Sequence, residues 1–314
     1  MSIQEAKTTL FSSSVSHGTT NTYRNQFNHF IRHQVANGRD VLMDGSDPVA
    51  SQEAIVDFIA TKGLIEGYAH ATVHVMLYAI KHYLIMNRCP DRTLNAPLIK
   101  VAMKGLKNLQ GGSVQKVAAT LDLLLEALRE LDLNVWDDLV VALALSLMFV
   151  FLLRCREALG PVEPETCLRV GNFIVAAKEE QLPVVAYGQA DELVLLQGKS
   201  KADQQAMGHM ANAFRADHPL SPVSLFQRAA WLNPAHFADA DRYLLTKANG
   251  KVLSRDEISK RLRSAGERCG VPRAALSAIS LRSGGASAMF HEGYSAEEIK
   301  RRGRWASDCW RTYV

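Results

Sequence analysis

Residues 279–314 read ISLRSGGASAMFHEGYSAEEIKRRGRWASDCWRTYV. The stretch opens with Arg282 in a run of small residues, passes a basic knot at Lys300, Arg301, Arg302 and Arg304, reaches Trp305 and ends beside Tyr313. Arginine stays charged and presents a planar fork of donors that matches a phosphate bidentately, so an arginine held on a packed helix is a preset phosphate clamp. A tyrosine phenol, with a free pKa of roughly 10, is a weak nucleophile unless nearby positive charge stabilises its phenolate character. Ser295 and Glu298 have the spacing of a capping box that starts a short helix, and Gly303 is placed to end it just before Trp305. Tyr313 then falls on the next helix, carried back toward Arg282. A solvated basic helix with a half-buried tyrosine would use the same residue types, so the rest of the chain has to decide.

The run SLRSGGASAMF, followed by GRWASD and then a tyrosine, resembles the C-terminal signature of tyrosine recombinases of the phage-integrase superfamily, nearest the variant of Crypton- and DIRS-type mobile elements. The resemblance implies a mainly α fold with a small β-sheet: an N-terminal helical core-binding (SAM-like) domain and a C-terminal catalytic domain. It also implies a site-specific recombinase or integrase that cuts and rejoins DNA through a 3′-phosphotyrosine, with no cofactor and no metal. Double-stranded DNA is the implied partner, a homotetramer on DNA the implied assembly, and the nucleus the implied location in a eukaryote, otherwise the cytoplasm.

Composition agrees with two ordinary domains: 314 residues, 47% hydrophobic and 22% charged. A net charge of +4 and a pI near 8.8 permit a nucleic-acid partner without demanding one. The five cysteines, Cys89, Cys155, Cys167, Cys269 and Cys309, are scattered without a CxxC, which argues against a zinc site or disulfide frame. His29 with His33, and His70 with His74, have helical spacing but lack a third ligand nearby. The apolar run LVVALALSLMFVFLL at residues 139–153 is shorter than the ~18 residues a membrane span needs and is followed at once by Arg154. It reads as a core helix, and no membrane partner is expected.

Residues 1–18 are polar, lack a signal-peptide pattern and read as a flexible arm. Residues 19–113 carry four amphipathic helical patterns, at 19–35, 51–62 with Ser51 as N-cap, 72–86 and 97–109. The order of a T-x-x-Y-x-x-x-F helix, AIKHYLIMN and AMKGLKN resembles the family's core-binding domain. Lys100, Lys104 and Lys107 on the fourth helix would then meet backbone phosphates, giving affinity rather than sequence readout. Residues 114–119, within QGGSVQKVAA, read as an interdomain linker.

Residues 120–314 form the expected catalytic domain, with Thr120 capping its first helix. LLRCREALG follows the apolar helix, and its Arg154 and Glu157 match the family's R-x-x-E motif. Residues 167–177 and 192–197 read as strands. They lead into GKSKADQ, where the resemblance assigns Lys201, rather than Lys199, as the general acid. Ser254 and Glu257 box another helix, ended by Gly270 and Pro272 and crowded by Lys260, Arg261, Arg263 and Arg268. By analogy that helix lies near the major groove, with Lys260, Arg261 and Arg263 on DNA.

The resemblance assigns Arg154 and Arg282 to the phosphate, Tyr313 as nucleophile and Trp305 as a packing and hydrogen-bonding element. Counting back nine residues from Tyr313 instead selects Arg304, which is expected on phosphate. Two departures stand out. The family's second box is H-x-x-R, yet Ile279 stands three before Arg282 and can neither donate nor accept a proton. The chain also ends one residue after Tyr313, where family members continue, so a fragment or truncated reading frame is expected. Both departures favour an alternative: a catalytically impaired, element-derived DNA-binding protein.

Overall fold

The structure is a computed structural model, and it describes residues 2–15, 17–42, 47–89, 92–112, 115–160, 166–198 and 208–313. The chain divides into two compact units, Met1–Ser113 and Val114–Val314. No described helix is long and apolar enough to cross a membrane.

The first unit contains α1 (Ile3–Ser12), α2 (His17–Ala36), α3 (Pro48–Ala60), α4 (His70–Met86) and α5 (Pro97–Gln110). The stretch read as a flexible arm is helical over α1, because Ser2 and Glu5 exchange backbone-to-side-chain hydrogen bonds at its start. Helix α3 begins earlier than its pattern suggests. Asp47, not Ser51, is the N-cap and accepts from the Val49 and Ala50 N–H groups, with Pro48 at the first helical position. Ser51 lies one turn further in and donates to the Asp47 carbonyl. The core is built from Phe27, Phe30, Phe58, Met76 and Ile80. Helix α5 buries Ile99, Met103 and Leu106 and leaves Lys100, Lys104 and Lys107 exposed on its other face.

The second unit contains α6 (Leu121–Leu128), α7 (Trp136–Val150), α8 (Cys155–Ala158), α9 (Pro222–Leu232), α10 (Pro234–Phe237), α11 (Arg255–Arg268), α12 (Ile279–His291) and α13 (Ala296–Gly303). Its antiparallel sheet is β1 (Phe173–Ala177), β2 (Glu180–Gln181), β3 (Glu192–Gln197) and β4 (His209–Phe214), in the order β2-β1-β3-β4. Helix α7 is buried on nearly every face, which is why its sequence is apolar throughout. The expected strand over residues 167–177 is shorter than its apolar run: Val170–Asn172 is a 3-10 turn, and pairing starts at Phe173.

Residues 115–119, read as linker, are fastened to the second unit. Val117 N–H donates to the Ala275 carbonyl at 2.9 Å, Ala119 N–H donates to the Ser280 carbonyl at 2.8 Å, and Ala119 is wholly buried. The glycine pair of α12 is required there. A Cβ on Gly284 would lie 2.0 Å from the Ala119 carbonyl oxygen, and one on Gly285 would lie 2.1 Å from that of Phe149. The small residues of LRSGGASA thus bring α12 into contact with α7 and set the depth at which Arg282 sits.

Candidate active site

The site begins where α7 ends. Leu152 is buried with φ at +50°, a left-handed conformation that a branched side chain adopts at a cost. Its carbonyl is thereby turned inward. Arg154 caps the short helix α8, and its N–H donates to Glu157 Oε2 at 2.7 Å while its Nη1 donates to Oε1 at 2.8 Å. The R-x-x-E spacing therefore ties Arg154 down at both main chain and side chain.

Arg282 rises from α12 into this turn and is buried. Its Nη1 donates to the Leu152 carbonyl at 2.8 Å, and its Nη2 donates to the Gly303 carbonyl. The guanidinium lies over the Trp305 ring, 4.5 Å from the centroid, a distance at which the ring's quadrupole attracts the cation. Gly303 makes that stacking possible, since a Cβ there would meet Trp305 at 1.9 Å. Gly303 ends α13 as its position predicts, and Arg304 takes the left-handed cap with φ at +55°.

Arg304 pairs with Glu157, Nη2 to Oε2 at 2.7 Å, with both side chains almost fully buried. Its Nη2 also lies 3.4 Å from the Leu152 carbonyl, while its Nε and Nη1 are buried with no hydrogen-bond partner among the described residues. Burial pulls the Arg304 guanidinium below the ordinary arginine value, with Glu157 opposing and Arg154 adding to the shift. One carboxylate thus serves two guanidiniums, and a third shares the Leu152 carbonyl. The cluster carries unmatched positive charge and unfilled donors, the arrangement an incoming phosphate would satisfy.

Beside it, α13 is pinned to the sheet by Arg302 Nη1 donating to the Asn212 carbonyl at 2.9 Å. His209, at the start of β4, has a buried Nε2 with no hydrogen-bond partner among the described residues. Burial first, then Arg304, Arg302 and Arg301, lower its pKa below the ordinary 6.5, with Glu157 opposing. Across the ladder, Gln197 is buried, and neither of its amide atoms has a partner among the described residues. The sequence reading missed His209, Gln197 and the Leu152 carbonyl. A lone histidine in HMANAF and a backbone oxygen carry no motif, and only the register shows what they face.

The structure thus brings Arg154, Arg282, Trp305 and Arg304 together. Lys201 lies outside the described residues. The backbone of Tyr313 closes a 3-10 helix over Asp308–Tyr313, and its side chain lies outside what is described. Ile279 opens α12 and is half-exposed. On α11, Arg261 pairs with Glu130 at 2.9 Å and Arg263 Nε donates to the Leu276 carbonyl at 3.1 Å, so both are engaged within the protein. Lys260 is exposed, and Lys100, Lys104 and Lys107 are exposed in the first unit.

No protein-family model matches the sequence, and no curated protein matches it significantly. Solved structures do match in fold. The XerH site-specific recombinase bound to its difH substrate, in a pre-cleavage complex, is 13% identical with a TM-score of 0.59, over 94% of this chain and 75% of that one. A lambda integrase dimer bound to a COC′ core site is 13% identical with a TM-score of 0.57, over 99% of this chain and 75% of that one. The Tn1549 transposon integrase with circular intermediate DNA is 11% identical with a TM-score of 0.57, over 98% of this chain and 93% of that one. Mostly helical, with one small antiparallel sheet, this chain has the fold of tyrosine recombinases and integrases along nearly its whole length.

Proposed function

We propose that the chain is a site-specific DNA recombinase or integrase that cuts and rejoins DNA through a 3′-phosphotyrosine. The observation that carries this reading is the convergence of Arg154, Arg282, Arg304 and Trp305, from separated stretches of sequence, on the Leu152 carbonyl and the Glu157 carboxylate. In the proposed reaction the Tyr313 oxygen attacks a scissile phosphorus in line, and the bond to the 5′ oxygen breaks. Arg154 and Arg282 neutralise the non-bridging oxygens, Arg304 adds its free donors, Trp305 fixes the plane of Arg282, and Lys201 protonates the leaving oxygen. At an effective dielectric near 20, a charge pair about 4 Å apart is worth roughly 4 kcal/mol, so two clamps supply a large share of the stabilisation of the transition state. The phosphotyrosine conserves the energy of the broken phosphodiester, so rejoining needs neither ATP nor a metal.

On this reading residues 19–113 form the core-binding domain, with Lys100, Lys104 and Lys107 on backbone phosphates, and residues 120–314 form the catalytic domain, with Lys260 near DNA. Strand exchange between two duplexes calls for a homotetramer on DNA. A mobile element of Crypton or DIRS type is the proposed origin, and the nucleus the proposed location in a eukaryote, otherwise the cytoplasm. Ile279 supports a second reading, a DNA-binding protein of the same fold that no longer cleaves.

A pool of nicked duplexes with randomised sequence, in which cleavage releases a short strand and traps the intermediate, separates the two. The expected outcome is a denaturation-resistant protein–DNA adduct that is absent with Tyr313→Phe. Salt-sensitive DNA binding without any adduct would select the non-cleaving reading.

A further inference from the structure

Helix α7 ends in a turn that is ordinarily made by glycine. Phe151 caps the helix, Leu153 N–H donates back to the Met148 carbonyl at 3.1 Å, and Leu152 between them is left-handed, with φ at +50°. Glycine is usual at that position because any side chain there costs energy. Of the described non-glycine residues with positive φ, Arg88, Lys178 and Glu179 are exposed, whereas Leu152 is wholly buried. The remaining one is Arg304, whose Nη2 meets the Leu152 carbonyl. The leucine side chain shows how the conformation is held. It is seated among buried Ala286, Ile299 and Trp310, with Met289 and Trp305 packed around them. Gly285 leaves the space, since a Cβ on it would lie 2.4 Å from Leu152 Cδ2. A strained residue persists when its surroundings over-determine it, and such residues gather at functional sites. Here the strained residue presents the carbonyl that accepts Arg282 Nη1 at 2.8 Å and has Arg304 Nη2 at 3.4 Å. Ending the helix would need only a glycine; the seated leucine also fixes where two guanidiniums meet.

We propose that Leu152 is a positioning residue of the phosphate site: its left-handed turn directs the carbonyl that sets Arg282 and Arg304 side by side against one phosphate. The inference rests on the recombinase reading. Leu152 touches no DNA in this role. It acts through the two guanidiniums, and what it controls is how strongly the site prefers a charged phosphate to a neutral one. Trp305 and the Gly303 carbonyl hold Arg282, and Glu157 holds Arg304, but the Leu152 carbonyl is the contact that the two arginines share.

Adducts from the randomised nicked pool identify a cleaved duplex, and the length of the released strand locates its scissile phosphate. That duplex is then made with the ordinary phosphate or with a methylphosphonate at that position, which removes the negative charge. Affinity for each is measured in the Tyr313→Phe background, so that nothing is cleaved. The parent should bind the charged duplex about tenfold tighter or more. Leu152→Ala should lose most of that preference and bind the neutral duplex as before, because alanine keeps the cost of the left-handed backbone and lacks the seat. Leu152→Gly should regain most of it, because glycine makes the turn freely. Packing alone predicts the opposite order, since glycine leaves the larger void and the looser chain. An unchanged preference in Leu152→Ala would overturn the assignment, as would a Leu152→Gly no better than Leu152→Ala, an equal weakening toward both duplexes, or a parent indifferent to the charge. Should Leu152→Ala fail to fold, Leu152→Ile and Leu152→Met decide at nearly constant volume. The β-branched isoleucine resists a left-handed backbone, so it alone should lose the preference, and equal preferences in the two reject the assignment. Absence of adduct from the wild type rejects the recombinase reading itself, an outcome distinct from all of these.

Discussion

Glu157 is the residue on which the arginine cluster depends. Its side chain is 3% exposed and receives Arg304 at 2.7 Å and Arg154 at 2.8 Å. Removing one partner of a buried pair leaves an uncompensated charge, whereas removing both is often neutral. Glu157→Gln should therefore lower unfolding stability by about 3–5 kcal/mol in urea denaturation at neutral pH. The Glu157→Gln, Arg304→Met double variant should recover a large part of that loss, because the two residues are in contact and their effects are not additive. Equal losses in the single and double variants would show that Glu157 does not hold Arg304. The sequence makes the Arg154–Glu157 pair legible through its three-residue spacing. It cannot show Arg304 as the second partner, because that contact spans 147 positions and depends on a left-handed residue after α13.

At the scale of elements, three helix starts were legible from a capping side chain at fixed spacing, whereas that of α3 was not, since Asp47 rather than Ser51 closes it. Thr120, Ser254 with Glu257, and Ser295 with Glu298 cap α6, α11 and α13 as their spacing predicts. Strand β4 was not legible, since HMANAF has little β-branched content and pairs only because β3 lies alongside. The box on α11 makes a pH prediction. Burial alone would raise the Glu257 pKa, but hydrogen bonds from Lys247 and Ser254 bring it from 4.5 down to about 2. A depressed folded pKa contributes stability that is present above about 4.5 and is lost as pH falls toward about 2. Glu257 is partly exposed, so the pair itself is worth about 0–1 kcal/mol and the cap about 1 kcal/mol. Glu257→Gln should therefore melt a few degrees below wild type at pH 7, and the gap should narrow steadily in melts taken below pH 4.5. A gap unchanged at acid pH would mean that the carboxylate charge does not contribute.

Over the whole molecule, the cations divide into those that are free and those that are engaged. Sequence order alone put Arg261 and Arg263 in the same class as Lys100, Lys104 and Lys107, because a run of basic residues on a helix does not show which face is turned inward. The structure separates them. Arg261 bonds Glu130 and Arg263 bonds the Leu276 carbonyl, whereas the three lysines stand on the exposed face of α5, opposite Ile99, Met103 and Leu106, and make no ion pair among the described residues. Removing one cation that neutralises a phosphate should reduce the slope of log affinity against log salt by about 0.9 for duplex DNA. If α5 meets DNA, Lys104→Ala should weaken binding to unrelated duplexes alike, reduce the slope by about that amount and leave the melting temperature unchanged. Arg261→Ala should do the reverse, leaving the slope intact while lowering stability by up to about 1 kcal/mol, the range for exposed ion pairs. A salt slope that drops with Arg261→Ala and not with Lys104→Ala would move the phosphate-binding cations from α5 to α11, and would mean that the Arg261–Glu130 pair opens when DNA binds.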